Sequence, residues 1–189
     1  MKTLRVAVVL ALVLAVGGCS KDEKASGVPV PKGFDLPTGV TLTKGGTELA
    51  KGKSASVIYQ IADKTRSVVS ISVTAVKKGD IKDFKFFSLD DETKQATPFY
   101  VAATVKNLGP AGIGGAPIPL YAHDSKNTIS LPNELVGEFA PCPKGTLPKS
   151  FLPDATAKVC LVYLIPQGSS LVSIDLQTVD QKVPITWKQ

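Results

Sequence analysis

Cys19 is the residue of this sequence whose surroundings point most directly to a chemical reaction. It follows two glycines and an unbroken apolar run at residues 6–16. A run of that length is too short for a spanning helix, which needs about 20 apolar residues, and it is typical of a signal-peptide core. Lys2 and Arg5 supply the positive charge that precedes such a core. Small side chains suit the narrow cleft of a signal peptidase, so the sequence predicts cleavage before Cys19.

The segment Val16-Gly17-Gly18-Cys19 resembles the lipobox of bacterial prolipoproteins, in which an aliphatic residue and two small ones precede a cysteine. The resemblance implies that the Cys19 thiol receives a diacylglyceryl group and that residues 1–18 are removed. Two acyl chains anchor a protein stably, at about 0.8 kcal/mol per buried CH₂. We therefore expect an exported protein that is held at the membrane by lipid and faces the extracytoplasmic side. An ordinary secretory signal beside a chance cysteine is the alternative, and the sequence leaves open which membrane is used.

Cys142 and Cys160 remain as an even pair once Cys19 is lipidated. An even pair in an exported domain favours a disulfide, because oxidising compartments let the bond persist. Two free thiols or two metal ligands are the alternative. Zinc would need two further ligands, and the sequence contains one histidine.

His123, Asp124 and Ser125 include the three residue types of a hydrolytic triad, but at consecutive positions. Neighbours on a strand point to opposite faces, whereas a triad needs convergence in space. The sequence also lacks the Gly-x-Ser-x-Gly elbow of many hydrolases. We interpret this segment as a turn and assign no catalytic residue, and a small cell-envelope hydrolase is kept as an alternative function.

The charge of the chain argues against nucleic-acid binding and against a resident metal. Of the 22 basic residues, Lys2 and Arg5 leave with the leader, so that 20 face 16 acidic ones and Arg66 is the single remaining arginine. Readers of nucleic acid favour arginine for bidentate contacts. The single methionine, Met1, is also removed, which with one histidine leaves few ligands for a soft metal. We expect no cofactor, and a membrane contact through the lipid.

Glycine, proline and lysine dominate residues 19–54, where apolar residues recur at no regular period. Such a composition is typical of an extended linker. The sequence therefore predicts a signal peptide at 1–18, a lipid anchor and flexible tether at 19–54, and one folded domain at 55–189. A short strand at 40–42 is possible within the tether.

Apolar residues alternate with polar ones through most of residues 55–189, at the period of a β-strand. The alternating or continuous apolar runs lie at 57–61, 67–76, 81–87, 99–105, 119–123, 128–131, 159–165, 172–176 and 183–187. The turn-forming segment 124–127 separates two of them and indicates a hairpin. No stretch shows an apolar stripe at helical spacing. This pattern predicts an all-β fold, an antiparallel immunoglobulin-like β-sandwich of seven to eight strands.

The run Thr97-Pro98-Phe99-Tyr100-Val101-Ala102-Ala103-Thr104-Val105-Lys106-Asn107-Leu108-Gly109 resembles the "YV.v.v.vkN.G" strand of the domain-of-unknown-function group DUF4352. Further matching pieces lie at 117–121, 142–143, 151–153 and 160–166. That group is similar to the immunoprotective extracellular, immunoglobulin-like domains, so the resemblance implies an extracytoplasmic sandwich and no catalytic residues. The family usually has Pro-Gly before its late strand. This chain has Pro153-Asp154 there, so we expect a differently built turn.

These observations favour a non-enzymatic binding or interaction module, whose partner is an envelope protein or a wall polymer. Tyr100 and Lys106 lie on the less apolar face of their strand, and Tyr121 is an aromatic residue that could line a ligand face. We therefore take Tyr100, Lys106 and Tyr121, with the loops at 106–118 and 141–153, as the candidate interaction surface. A structural or antigenic surface protein without a ligand is the second alternative.

Overall fold

The computed structural model describes residues 27–62 and 65–189. The predicted signal peptide and Cys19 lie outside the described residues. The strands in chain order are β1 (Glu48–Leu49), β2 (Ser54–Ala62), β3 (Thr65–Lys78), β4 (Thr97–Pro110), β5 (Leu120–Asp124), β6 (Ile129–Ser130), β7 (Thr156–Ile165), β8 (Leu171–Leu176) and β9 (Ile185–Lys188). Within the described part of the chain, no helix is long and apolar enough to span a membrane.

One sheet consists of β2, β3, β4 and β7 in that order, with every neighbouring pair antiparallel. Its strands alternate as the sequence predicts. On β3, for example, Val69, Ile71 and Val73 are buried in the main core, and Ser70 and Ser72 point to the opposite side. The sheet therefore has an apolar inner face, and its outer face carries polar side chains between two apolar ends.

The second sheet has the order β1-β9-β8-β5-β6, and β1 runs parallel to β9 while the other pairs are antiparallel. Its inner face supplies Ile174 and Trp187, which are fully buried against the first sheet. The Tyr163 hydroxyl of β7 donates to the Leu120 carbonyl of β5 at 2.9 Å, which joins the two sheets through the core. Burial raises the pKa of Tyr163 well above its ordinary range. The two sheets enclose one core, as the predicted sandwich requires.

The strand order is that of an immunoglobulin-like sandwich. β3, β4 and β7 lie as strands A, B and E do, while β5, β8 and β9 lie as C, F and G do. β6 adds a fourth strand beside β5, and β2 and β1 extend the two sheets beyond β3 and β9. Between β6 and β7, where that fold has its strand D, the described chain forms a long connection at 131–155. The predicted fold class is confirmed, and the described chain forms nine strands in place of the seven to eight expected.

The strand predicted at 81–87 is wrong. Residues Ile81–Phe84 form a 3₁₀ turn instead, and Asp80 caps it by accepting the Lys82 amide at 2.9 Å. A strand would place Phe84 and Phe86 on the same face, whereas here Phe84 is buried and Phe86 is exposed. The Asp80 cap and the tight turn that follows it therefore replace the extended backbone that the apolar residues suggested.

Much of the segment expected to be a tether packs against the sandwich. Leu42 is buried with Ile58 and Val68 on the outer face of the first sheet. The residues that pack around them from the N-terminal side are Val28, Phe34, Leu36 and Val40. We call residues 28–42 the strap. The packed unit therefore begins near Val28 rather than at residue 55, and the expected strand at 40–42 is irregular chain, with a strand at Glu48–Leu49 instead.

Candidate functional site

A disulfide between Cys142 and Cys160 fixes the connection from β6 to β7, as the sequence predicted. The two Cα atoms are 5.2 Å apart, and Cys160 lies on β7. Two backbone hydrogen bonds support the same attachment. The Cys160 amide donates to the Lys144 carbonyl at 3.2 Å, and the Asn133 amide donates to the Val162 carbonyl at 2.7 Å. The connection therefore covers the outer edge of β7, which would otherwise expose unpaired backbone groups.

An aromatic cluster lies beneath this connection on the outer face of the first sheet. Phe84 and Phe139 contact each other with ring centroids 4.7 Å apart, and Tyr100 meets Phe139 edge to face at 5.6 Å. Cys142 and Val162 complete the buried part of the cluster. The turn that carries Phe84 and the β6–β7 connection that carries Phe139 thus cover one corner of the sheet together.

Tyr100 is buried in this cluster and does not form part of an exposed surface. Its side chain is 5% exposed, and its hydroxyl donates to Asp83 Oδ2 at 2.7 Å. Burial and this hydrogen bond both raise the pKa of Tyr100 above its ordinary range. Gly79 packs so closely on the ring that an added Cβ would clash with Tyr100 Cζ. Tyr100 points outward from its strand, as expected, but other segments cover it.

A groove of about 1840 Å³ runs beside the disulfide-held connection. Its walls include the segment 131–146, the turn at 82–87, the loop at 115–119 and part of the β8–β9 connection. Four large apolar side chains on these walls are exposed: Phe86, Leu131, Val136 and Val179. Phe86 is 87% exposed and Val136 95%. Nine large apolar residues are exposed on the described surface, and four of them line this one groove.

The charges around the groove balance. Its lining contains three lysines and three acidic residues, which are Lys82, Lys85, Lys144, Asp83, Glu134 and Glu138. The Lys85 ammonium lies 4.9 Å from the centroid of the Phe86 ring, a cation–π distance. The groove therefore attracts neither sign of charge strongly and offers mainly apolar contact.

Tyr121 lies in the groove, whereas Lys106 lies elsewhere. Tyr121 is half-buried and lines the groove together with Tyr59, whose hydroxyl donates to the Pro117 carbonyl at 2.6 Å. Burial, and then the nearby Tyr121, raise the pKa of Tyr59 to about 12. Lys106 is exposed on the outer face of the first sheet, 3.9 Å from Asp154. The structure does not bring the three predicted surface residues together: Tyr121 lies on β5 in the other sheet, and on β4 the aromatic cluster buries Tyr100 while Lys106 is exposed.

The consecutive residues His123, Asp124 and Ser125 do not converge. The histidine Nε2 lies 2.9 Å from Asn127 Oδ1, and its Nδ1 lies 3.4 Å from the buried Asp175. Ser125 Oγ lies 3.2 Å from Ser169 Oγ. Asp175 was not singled out from the sequence, since 52 positions separate it from its partner, and only the β5–β8 pairing joins them.

Comparison of the chain with protein-family models, curated proteins and solved structures found no match. The resemblance to DUF4352 at 97–109 therefore stays a prediction. Across residues 27–62 and 65–189, no three histidine, cysteine, aspartate or glutamate side chains cluster as metal ligands would. The groove and the outer face of the first sheet are the two surfaces with features that need a functional explanation.

Proposed function

We propose that this chain is an exported lipoprotein, anchored through Cys19, that acts as a non-enzymatic binding module and holds a partner protein of the cell envelope in the groove. The observation that carries the proposal is the gathering of exposed Phe86, Leu131, Val136 and Val179 around one groove. Exposed apolar side chains that gather in one place mark interaction sites more often than scattered ones do.

The covalent and hydrogen-bonded attachment of the groove wall supports a binding role. The Cys142–Cys160 bond and the backbone contacts at Asn133 and Lys144 hold the 131–146 wall on β7. A wall that is already ordered loses little conformational freedom when a partner binds, and this lowers the entropic cost of association. The balanced charge and apolar rim suit an extended, mainly uncharged peptide segment of the partner.

The anchor is tested separately from the groove. The sequence from Lys2 to Cys19 supports lipidation, and replacing the thiol removes the atom that would carry the diacylglyceryl group. We expect Cys19→Ala to move the protein from the detergent phase to the aqueous phase on phase partitioning. Persistence of the variant in the detergent phase would show that something other than Cys19 attaches it.

The groove is tested by site-specific photo-crosslinking in the producing cell. A photoreactive residue at Val136 should give a discrete adduct with one envelope protein. The same residue at Leu152, which is exposed outside the groove, serves as the matched control and should give none. Phe86→Lys should abolish the Val136 adduct, because it replaces an apolar contact with a charge that opposes burial. Equal adducts at Val136 and Leu152, or an adduct unaffected by Phe86→Lys, would count against the groove.

A further inference from the structure

The outer face of the four-stranded sheet has three zones. The strap covers one end, over Ile58 and Val68, and the aromatic cluster covers the other end, over Tyr100 and Val162. Between these two zones no described residue belongs to either apolar cluster, and the strand residues that point outward are polar. The side chains that remain there are hydroxyls and lysines, arranged in two rows across all four strands. We call this zone the polar band.

The registers of the three strand pairs define the rows. The first row, from β2 to β7, is Ser56, Ser70, Lys106 and Thr156. The second row is Ser54, Ser72, Thr104 and Lys158. All eight alternate with residues of the main core, so they project from the same face. Six hydroxyls and two ammonium groups thus share the band, and none of its members is acidic.

The two lysines stand at one side of the band as diagonal neighbours. Lys106 is opposite Thr156, and Thr104 is opposite Lys158, so the two lysines and the two threonines form a square. Diagonal neighbours in a sheet are about 7–8 Å apart, and an anion between the two ammonium groups can contact both. The Asp154 carboxylate lies 3.9 Å from the Lys106 ammonium and is 89% exposed, so it competes only weakly with a bound anion.

Ser72, next to Thr104 in the second row, supplies an independent observation. The residue is 7% exposed, and its Oγ has no hydrogen-bond partner among the described residues. A buried hydroxyl without a partner costs about 1–3 kcal/mol. Because the Oγ itself has almost no solvent exposure, a ligand oxygen that enters the band between Ser72 and Thr104 would pair with it only after the side chains that cover it move aside.

We propose that the polar band binds a polyol-phosphate polymer of the cell envelope. One phosphate lies between Lys106 and Lys158, within reach of the Thr104 and Thr156 hydroxyls. The polymer's own hydroxyls continue along the serines of β3 and β2. This inference rests on the export of the chain that the proposed function includes, but it does not depend on the groove.

The affinity should be modest and should fall with salt, because both ammonium groups are exposed and screening is effective at a protein surface. We would titrate poly(glycerol phosphate) into a soluble chain that begins at Ser20 and so keeps every described residue, using calorimetry at low ionic strength. We expect the double change Lys106→Gln and Lys158→Gln to weaken binding at least tenfold. Lys126→Gln, an exposed lysine on the β5–β6 turn, should leave the affinity unchanged.

Two further variants test the detail of the site. Asp154→Asn should tighten binding two- to threefold, because it removes the competing carboxylate and keeps a residue that tolerates the same backbone conformation. Ser72→Val should weaken binding severalfold without loss of folding, which circular dichroism would check. If Lys126→Gln weakened polymer binding as much as the double change does, binding would depend on the net charge of the protein and not on this site.

If the chain bound phosphatidylglycerol vesicles but not the polymer, the ligand of the polar band would be a lipid headgroup and the polymer proposal would be wrong. The purified chain needs neither lipidation nor a partner protein in these titrations. If the polymer fails to bind, the polar-band proposal fails, and the phase-partitioning and crosslinking results still decide the proposed function. If those experiments fail, the titration still tests the polar band.

Discussion

The hydroxyl of Ser67 on β3 donates a hydrogen bond of 2.7 Å to Oδ1 of Asn107 on β4, and both side chains are fully buried. The same oxygen accepts the Gly109 amide at 2.9 Å. On the other side, Asn107 Nδ2 donates to the carbonyls of Ala111 at 2.8 Å and Phe151 at 3.1 Å. One side-chain amide thus joins β3, the end of β4 and two loops.

Asn107→Ala should lower the free energy of unfolding by about 3 kcal/mol or more. The substitution leaves several buried polar groups without a partner, at about 1–3 kcal/mol each. Ser67→Ala is the matched control, with an expected loss of about 1 kcal/mol, because Asn107 Oδ1 keeps its bond from Gly109. Urea unfolding of the soluble chain from Ser20 measures both. Losses of equal size would mean that Asn107 is not the centre of this network.

If the strap packs as described, truncating a buried leucine and truncating an exposed valine in the N-terminal segment should change the stability by different amounts. Leu42 is 3% exposed against Ile58 and Val68, so Leu42→Ala should cost about 2–4 kcal/mol. Val30 is exposed, and Val30→Ala should change the stability by less than about 0.5 kcal/mol. If urea unfolding gave equally small changes, residues 28–54 would be a free tether after all.

Asp154 explains how the turn before β7 is built without the expected glycine. Its φ is 66°, in the left-handed region that glycine adopts most easily and that aspartate tolerates better than most residues. The turn therefore uses a left-handed residue at position 154, a conformation that a glycine after proline also adopts easily. Asp154→Gly should raise the free energy of unfolding by about 0.5–1 kcal/mol.

Asp154→Ala is the contrasting variant and should destabilise the protein, since it keeps the Cβ and loses the polar side chain that tolerates this conformation. The melting temperatures of the two variants should therefore move in opposite directions from that of the parent chain. A fall in both would show that the Asp154 carboxylate matters more than its backbone conformation.

The strands of the main core could be predicted because alternation follows directly from a sheet with one buried face. The pairing of β1 with β9 could not, since two residues carry no periodicity and their partners Thr186 and Trp187 lie far along the chain. The strap was missed for a different reason. Glycine and proline indicate irregular backbone, but irregular backbone can still bury apolar side chains such as Phe34 and Leu36.

The candidate surface was likewise predictable where it depends on strand alternation and unpredictable where it depends on contacts between distant segments. Alternation placed Tyr100 and Lys106 on the outer face, which is where their strand directs them. That Phe139 returns to cover Tyr100 could not be predicted, because the contact depends on the path of the 131–155 connection. Lys158 was not considered, since its relation to Lys106 exists only in the β4–β7 register. The hairpin turn, by contrast, was readily predicted, and Asn127 takes its left-handed position with φ 64°.

Asp124 gives the fold a defined dependence on pH. Its side chain accepts Ser169 Oγ at 2.7 Å, the Lys126 amide at 2.9 Å and the Thr128 amide at 2.8 Å. These hydrogen bonds, that of Ser169 foremost, hold the pKa of Asp124 below its usual value of 3.8. Because the folded pKa is the lower one, the ionised carboxylate stabilises the fold above the unfolded pKa. That contribution is lost as the pH falls through the folded pKa.

Asp124→Asn should therefore lower the free energy of unfolding by about 1–2 kcal/mol at neutral pH. The difference from the parent chain should narrow as the pH falls below 3.8, since the parent then protonates the same group. Urea unfolding over a series of pH values measures the convergence of the two curves. Asp180→Asn changes an exposed carboxylate and should show no such convergence. A difference for Asp124→Asn that stays constant down to acid pH would mean that its charge does not stabilise the turn.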